Sequence, residues 1–227
     1  MTAKPRTVTA TKSYCVYFKG AACSDAFIDD FCLKYFQLRL CNGLQPYKVK
    51  LHAYALLANE GFLLVTPATS TGLGQLMKAL SKDYNSYFSK RFERESSPIG
   101  NNFMVTPLDG DKLILDCQKY IERRVLDEGL RQHAGAYQWS SYTANSFGCR
   151  SNFVTPHLAF SDYLHQLSNP YKAYREFIAQ PFVDNYLAYI DRQVKSGKAL
   201  AKVRSPVAKP VRVRRKVVKQ YSQSIWL

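Results

Sequence analysis

Chemically capable side chains occur at two places in this sequence. Glu60 lies at the polar break between the apolar runs of LLANEGFLLVTP (56–67), and Tyr120 and Arg124 lie four residues apart in DKLILDCQKYIERRVLDEGL (111–130). If the second segment is helical, its two side chains share one face. A carboxylate can bind a hard divalent cation, a guanidinium can clamp a phosphate, and a tyrosine hydroxyl can act as a nucleophile. By itself, a tyrosine on an amphipathic helix is ordinarily a core-edge aromatic with a hydrogen-bonded hydroxyl.

The spacing of apolar residues predicts the elements that position these side chains. Runs of aromatic, β-branched and other apolar residues predict strands at 13–20, 47–58, 61–67 and 101–109. The tight turn at 59–61 joins the second and third strands as a hairpin. Apolar residues at helical spacing predict helices at 71–93, at 111–130 and between Ser24, a candidate N-cap, and the Asn42-Gly43 stop. The apolar positions of this first helix are Phe27, Phe31, Leu33, Tyr35 and Leu38.

The order of these elements predicts the fold class. The order β-α-β-β-α-β-α is typical of an α+β protein with a ferredoxin-like split βαβ antiparallel sheet and helices on one face. Residues 160–195 continue with helical patterns that are interrupted at Pro170 and Pro181. Residues 196–220 are rich in proline, lysine and arginine and have no core pattern, which is typical of disorder.

Positive charge is concentrated at the C-terminus. The chain has a net charge of +15, and eleven lysines and arginines but no acidic residue follow Asp191. The first 191 residues therefore contribute only +4. A basic tail of this kind is typical of a protein that binds a polyanion, most often a nucleic acid. A solubilising disordered tail and an anionic membrane surface are the alternatives.

The composition argues against several protein classes. No apolar run approaches the roughly 18 residues that a transmembrane helix needs. The N-terminus is basic but lacks the apolar segment of a secretory signal, so a cytoplasmic protein is predicted. Six cysteines without a C-x-x-C pair are predicted to be reduced and mostly buried.

Four segments, taken in order, resemble the single-tyrosine HUH transposases, and specifically the REP-associated tyrosine transposases. LHAYALLANEGFLLVTP (51–67) resembles the family's L-H-A-Y-V-L-M-P-N-H-V-H-L-L-V-T-P, and CQKYIERRVLDEGL (117–130) resembles its C-x-x-Y-I-E-x-N-P-V-R-A-G-L. LMKALSKDYNSYF (76–88) is similar to the intervening helix, and YQWSSY (137–142) to Y-x-W-S-S-Y. The resemblance covers about residues 13–145 and continues more weakly to about 195.

The resemblance implies a chemistry and a role for each matched residue. In this family a tyrosine hydroxyl attacks a backbone phosphate of single-stranded DNA that carries hairpins, and it forms a 5′-phosphotyrosine link. A divalent metal ion, held by the two histidines of the HUH motif and a polar ligand from the tyrosine's helix, polarises the scissile phosphate. Tyr120 matches the nucleophile, Glu60 and Phe62 stand at the positions of the histidines, and Arg124 replaces the usual asparagine.

These replacements predict a degenerate metal site at Glu60, Phe62 and Arg124, with no metal bound and metal-dependent cleavage lost. Phe62 has no donor atom, and Glu60 alone would be a weak site. At roughly 4 Å and an effective dielectric constant near 20, each unit-charge interaction is about 4 kcal/mol, so Arg124 would strongly repel a divalent ion. We expect Glu60 and Arg124 to pair with each other, and we expect no cofactor. Arg124 could still clamp a phosphate in place of the metal.

We therefore predict a DNA-binding protein of transposase descent that binds single-stranded or hairpin DNA without metal-dependent cleavage. The nucleoid is then its expected place in the cytoplasm. The side chains expected to contact DNA are cations of the N-terminal arm, the helix and the tail: Lys4, Arg6, Lys12, Arg124, Arg204, Lys209, Arg212, Arg214, Arg215, Lys216 and Lys219.

Two other functions stay open at this point. An active transposase or nuclease would form its 5′-phosphotyrosine link through Tyr120 and would need Mg²⁺ or Mn²⁺. An RNA- or protein-binding module is compatible with a ferredoxin-like sheet, although the strands lack an obvious RNP-type aromatic motif. A homodimer or a protein partner is also open, whereas no membrane partner is expected.

The resemblance and the charge pattern together divide the chain into four parts. Residues 1–12 are predicted to be a flexible basic arm, and 13–145 a transposase-like domain of the HUH fold. Residues 146–195 are predicted to be a helical C-terminal extension, and 196–227 a basic disordered tail.

Overall fold

The computed structural model of the chain describes residues 8–21, 26–93, 97–100, 103–149, 151–165 and 168–200. Its four strands form one antiparallel sheet of order β2-β3-β1-β4. The strands are β1 (Ser13–Lys19), β2 (Val49–Leu57), β3 (Glu60–Pro67) and β4 (Met104–Leu108). Each lies where the apolar pattern predicts a strand.

The connections between the strands confirm the split βαβ arrangement. Strands β1 and β2 both pair antiparallel with β3, so they run parallel to each other and enclose it. Likewise β4 pairs with β1 on its other side. Parallel strands need a crossover, and a helix supplies each of the two crossovers, as in a ferredoxin-like sheet. The α+β fold predicted from the sequence is therefore confirmed.

Seven α-helices accompany this sheet in the described part of the chain. They are α1 (Asp30–Leu44), α2 (Gly72–Phe92), α3 (Asp111–Asp127), α4 (Tyr142–Phe147), α5 (Leu158–His165), α6 (Pro170–Ala179) and α7 (Asp184–Ser196). The first helix begins later than predicted, because the Asp29 side chain accepts a hydrogen bond from the backbone N–H of Cys32 at 2.9 Å and so caps its N-terminus. Ser24 lies outside the described residues.

Helices cover both faces of the sheet. Alternate residues of β1 point to opposite faces, so Val16 and Phe18 pack with α1 and α2, whereas Cys15 and Tyr17 pack with α3 and α7. The prediction of helices on one face holds for α1 and α2 and needs correction for the sheet as a whole. The physical reason is that the strands are apolar on both sides, and a second apolar face must also be covered.

Returning segments occupy the outer edge of β2. The backbone N–H of Leu56 donates to the carbonyl of Trp139 at 2.9 Å, and the N–H of Ser141 donates to the carbonyl of Tyr54 at 2.9 Å. Farther along, the N–H of Thr155 donates to the carbonyl of Leu51 at 2.8 Å. The opposite edge belongs to β4, where Pro107 has no N–H to donate.

The structure also bears on two predictions from the sequence, one about membrane-spanning helices and one about the cysteines. No helix in the described ranges is both long and apolar enough to cross a bilayer. The five cysteines within those ranges are free thiols, and three of them, Cys15, Cys32 and Cys117, are buried.

Candidate functional site

The candidate site lies where α3 crosses the start of β3. Glu60 and Phe62 are alternate residues of β3, so both point to the α3 side of the sheet. On α3, Tyr120 and Arg124 are one turn apart on the face that packs against the sheet. Tyr120 is fully buried, and only 5% of Arg124 is exposed. The structure thus brings together the four residues that the resemblance singled out.

The guanidinium of Arg124 is surrounded by three carboxylates. Its Nη2 lies 2.9 Å from Glu60 Oε1, which is the ion pair expected from the sequence. Its Nη1 lies 3.3 Å from Asp191 Oδ1 on α7, and Nη2 also donates to Glu128. Glu128 could have been foreseen because it follows Arg124 by four residues, but no local signal links Asp191 to this helix.

A second cation closes the cluster from α7. The ammonium of Lys195 lies 3.1 Å from Asp191 Oδ1 and 3.7 Å from Glu60 Oε2. Tyr17 of β1 donates its hydroxyl to Glu60 Oε2 at 3.3 Å. Neither Lys195 nor Tyr17 was predicted from the sequence, because neither lies near the matched motifs in the chain.

Aromatic rings fill the space beneath the guanidinium. The Arg124 Cζ lies 5.1 Å from the centroid of the Phe62 ring and 5.3 Å from that of the Tyr120 ring. These two rings meet edge to face with centroids 5.5 Å apart. Both cation–π contacts are desolvated, which makes them stronger than exposed ones. The Nε of Arg124 is buried and has no hydrogen-bond partner among the described residues.

The Tyr120 hydroxyl is engaged inside this cluster. It donates a hydrogen bond to Asp191 Oδ1 at 2.8 Å. Burial raises the pKa of Tyr120 far above its ordinary value, and although Arg124 opposes that rise, the Asp191 carboxylate adds to it. At neutral pH the group is therefore a phenol that is fixed by an acceptor, not a phenolate facing solvent.

Arg124 remains charged in this environment. Burial alone would lower its pKa, but the neighbouring Tyr120 and the carboxylates of Glu60 and Glu128 together hold the pKa above the ordinary value for arginine. A permanent cation therefore occupies the centre of the cluster. Three carboxylates face two cations, so the five ionic groups together carry one net negative charge.

These residues do not fit a divalent metal ion. Phe62 offers no donor atom, and the carboxylates of Glu60, Glu128 and Asp191 already contact the guanidinium that fills the space between them. A divalent cation there would also be repelled by the fixed charge of Arg124. Among the described residues, no group of three or more histidine, cysteine, aspartate or glutamate side chains is arranged to hold a metal.

A second polar cluster lies on another side of α3. The carboxylate of Glu122 is fully buried, and it accepts hydrogen bonds from Ser141 Oγ at 2.6 Å, Asn145 Nδ2 at 2.7 Å and the Tyr174 hydroxyl at 2.6 Å. Burial raises the pKa of Glu122 to about 7, although these hydrogen bonds oppose the rise. The cluster joins α3 to α4 and α6, and its role is structural because no part of it reaches solvent.

Two of the predicted DNA contacts, Lys12 and Arg124, lie among the described residues. Lys12 is described and exposed, whereas Arg124 is buried and points into the carboxylate cluster. As a direct contact with DNA, Arg124 would first have to leave its three partners. The other predicted contacts lie outside the described residues: Lys4, Arg6, Arg204, Lys209, Arg212, Arg214, Arg215, Lys216 and Lys219.

Comparison with known proteins gives a likeness in structure but no match in sequence. No protein-family model matches the chain, and no curated protein matches it. Among solved structures, the chain is similar to a REP-associated tyrosine transposase bound to a REP hairpin, with a TM-score of 0.55 and 9% sequence identity. The similarity covers 70% of this chain and 93% of that chain. At this identity the likeness shows a shared fold and a distant structural relationship.

Proposed function

We propose that this protein binds single-stranded or hairpin DNA and no longer cleaves it. Three observations support DNA as the ligand: the similar fold of a transposase that is bound to a REP hairpin, the four matched sequence segments, and the net charge of +15. A basic chain of this kind binds the phosphate backbone through electrostatic contacts that weaken as salt is added.

The observation that carries the loss of cleavage is the position of the Arg124 guanidinium. It sits over the Phe62 ring and is held by Glu60, Glu128 and Asp191, at the place where the related enzymes would keep a metal ion. The Arg124 cation therefore neutralises protein carboxylates, and its attraction for a phosphate is weak. A scissile phosphate brought to this cluster would meet a net negative charge.

The Tyr120 hydroxyl is poorly placed for nucleophilic attack. To form a phosphotyrosine, it would have to lose its proton and reach a phosphorus atom. Here its pKa is raised by burial, its hydroxyl donates a hydrogen bond to Asp191 of α7, and no part of the side chain is exposed. Attack would require α7 to move away and Asp191 to be replaced by a phosphate oxygen.

The test is a binding and adduct assay on the full chain. A labelled hairpin oligonucleotide with a single-stranded extension is incubated with protein and Mn²⁺, then analysed on native and denaturing gels. We expect a salt-dependent shift on the native gel and no covalent adduct on the denaturing gel. Tyr120→Phe should shift the oligonucleotide as the wild type does, since only the hydroxyl is removed.

Two outcomes would contradict the proposal. An adduct that is present in the wild type and absent in Tyr120→Phe would show that the tyrosine still acts as a nucleophile. The absence of any shift at low salt, with hairpin and with single-stranded DNA, would show that DNA is not the ligand.

A further inference from the structure

Positive charge is concentrated on α1 and α2, the two helices on the face of the sheet opposite the Arg124 cluster. Helices α1 and α2 together contain six lysines and arginines against two aspartates, which gives a net charge of +4. Helices α3 to α7, which include the face of the Arg124 cluster, contain eight cations and eight carboxylates. The excess charge of the helical layers therefore lies on the face away from Tyr120.

Part of this charge forms a row along α2. Lys78, Lys82 and Lys90 follow one i±4n ridge of the helix, with Ser86 between the second and third lysines, and all four are exposed. A rise of 1.5 Å per residue separates successive positions of the row by about 6 Å and its ends by about 18 Å. In the described ranges, none of the three lysines has a carboxylate within ion-pair distance, so their charge is available to a ligand.

The C-terminal part of the row, Ser86 and Lys90, borders an open groove between α1 and α2. Its floor includes Tyr35 and Tyr87, whose rings are stacked with centroids 3.9 Å apart and planes within 7° of parallel. Arg39 of α1 donates to Asp83 of α2 at 2.9 Å and ties the two helices together along the groove. Because these contacts fix its walls, the groove is largely formed before any ligand arrives.

An exposed aromatic ring lies at one end of the groove. Phe31 is 68% exposed, although a phenylalanine in a helix normally faces the core. The guanidinium of Arg91 lies 5.2 Å from its centroid, and Asp29 accepts a hydrogen bond from Arg91 at 3.0 Å. A ring backed by a guanidinium offers a flat surface on which a nucleobase can stack.

We propose that the face formed by α1 and α2 binds an unpaired nucleic-acid strand. Lys78 and Lys82 contact adjacent phosphates, Lys90 contacts a phosphate farther along the strand, and Phe31 stacks against a base. A cationic groove with aromatic platforms is the combination by which proteins hold single strands. The inference rests on the proposed DNA binding and places the contact on the face opposite the Arg124 cluster.

The phosphate contacts are tested by the salt dependence of binding. Fluorescence anisotropy measures the affinity of the full chain for a thymidine oligonucleotide of about 12 residues, between about 50 and 200 mM salt. Each lost phosphate contact lowers the slope of log K against log salt by about 0.7 on a single strand, so the triple variant Lys78→Ala, Lys82→Ala, Lys90→Ala should lower it by about 2.

A matched triple variant controls for net charge. Lys19, Lys50 and Lys198 lie away from the groove, on or near the elements of the other face, and all three are exposed. Like the lysines of the row, none of them has a carboxylate within ion-pair distance in the described ranges. Their replacement by alanine removes the same three charges, and we expect a slope close to that of the wild type. Equal losses in the two triple variants would overturn the inference, since they would show a response to net charge alone.

The stacking contact is tested with Phe31→Ala, and Phe147→Ala is its control. Phe147 is also an exposed phenylalanine on a helix, with the Arg175 guanidinium 4.8 Å from its centroid. We expect Phe31→Ala to weaken binding at least about fivefold, and an abasic oligonucleotide to bind both variants equally. An unchanged affinity of Phe31→Ala for the thymidine oligonucleotide would refute the stacking contact.

The results also separate this inference from the proposed function. If the wild type binds no oligonucleotide at low salt, both fail. If it binds and the lysine-row variant keeps the wild-type slope, DNA binding stands and the α1–α2 face is not its site.

Discussion

The most informative single substitution in the candidate site is Arg124→Met. Methionine is unbranched, has similar length and can keep the contacts with the Phe62 and Tyr120 rings, so the change removes mainly the charge and its hydrogen bonds. Glu60 and Asp191 then lose the guanidinium and keep Lys195 as their shared cation. We expect the folded protein to be destabilised because two poorly solvated carboxylates are left without the guanidinium.

The exposure of each partner sets the size of the effect. Removal of one member of a buried ion pair costs about 3 to 5 kcal/mol, and an exposed pair contributes less than about 1 kcal/mol. The side chains of Glu60 and Asp191 are 17% and 31% exposed, whereas that of Glu128 is 45% exposed. We therefore expect a loss of about 3 kcal/mol of unfolding free energy, near the lower limit for a buried pair.

The assay is urea unfolding followed by circular dichroism, with thermal unfolding as a second measure. A loss of about 3 kcal/mol corresponds to a fall in Tm of roughly 6 to 12 °C for a chain of this size. Arg39→Met is the matched control, because Arg39 pairs with Asp83 at a site where both side chains are more than 30% exposed. That variant should lose less than about 1 kcal/mol.

A second variant shows whether unpaired charge is the cause. Adding Glu60→Gln and Asp191→Asn to Arg124→Met removes the two carboxylate charges, while the new amide oxygens can still accept from Tyr17 and Tyr120. Lys195 loses both carboxylates in this variant, but its side chain is 34% exposed and can be solvated. We expect most of the lost stability to return. Equal stability losses in Arg124→Met and Arg39→Met, or no recovery in the triple variant, would refute the view that Arg124 neutralises a buried acidic cluster.

Three further results are expected. Since the pKa of Glu122 is raised from 4.5 to about 7 in the folded state, its contribution to stability is full below about pH 4.5 and is lost as the pH rises to about 7. Between pH 5 and 8, the unfolding free energy of the wild type, measured with urea, should therefore fall by about 2 kcal/mol more than that of Glu122→Gln. Parallel plots of unfolding free energy against pH for the two proteins would contradict this. The variant Glu60→His, Phe62→His, Arg124→Asn should bind Mn²⁺ in calorimetry, and the absence of heat above that of the wild type would count against a degenerate metal site. Removal of residues 201–227 should weaken DNA binding and flatten its salt slope, and an unchanged slope would exclude the tail as a contact.

The sheet could be predicted from the sequence because its signals are local. The polar break after β2 predicts the β2–β3 hairpin, although the turn itself is Ala58-Asn59 and lies earlier than the predicted 59–61, because Glu60 already pairs with Leu57. The order of strands and helices leaves few alternatives for the remaining pairings. The ion pair of Glu60 and Arg124 was predictable too, since a motif match placed both residues in one pocket. These are features that a few neighbouring residues determine.

Features that depend on distant parts of the chain could not be predicted in this way. Asp191 reaches Arg124 from a helix 67 residues away, and nothing in its local sequence indicates that contact. Apolar spacing in α1 predicts that Phe31, Leu33 and Leu38 share a buried face, but only Leu33 is buried. Spacing alone cannot tell which stripe of a helix meets the sheet when apolar residues occur on several sides of it.

The edges of the sheet affect whether copies of this protein can associate by adding one strand to another. A strand with free N–H and C=O groups is a template onto which another chain can add, and such addition leads to dimers, swapped domains or fibres. At β2 the segments that include Trp139, Ser141 and Thr155 already use several of those groups, and at β4 Pro107 interrupts the donors. In the described part of the chain neither edge is therefore an uninterrupted row of free groups, and this disfavours growth of the four-stranded sheet by strand addition. Among the described residues, the exposed faces of the helices are then the surfaces left for a contact between two copies.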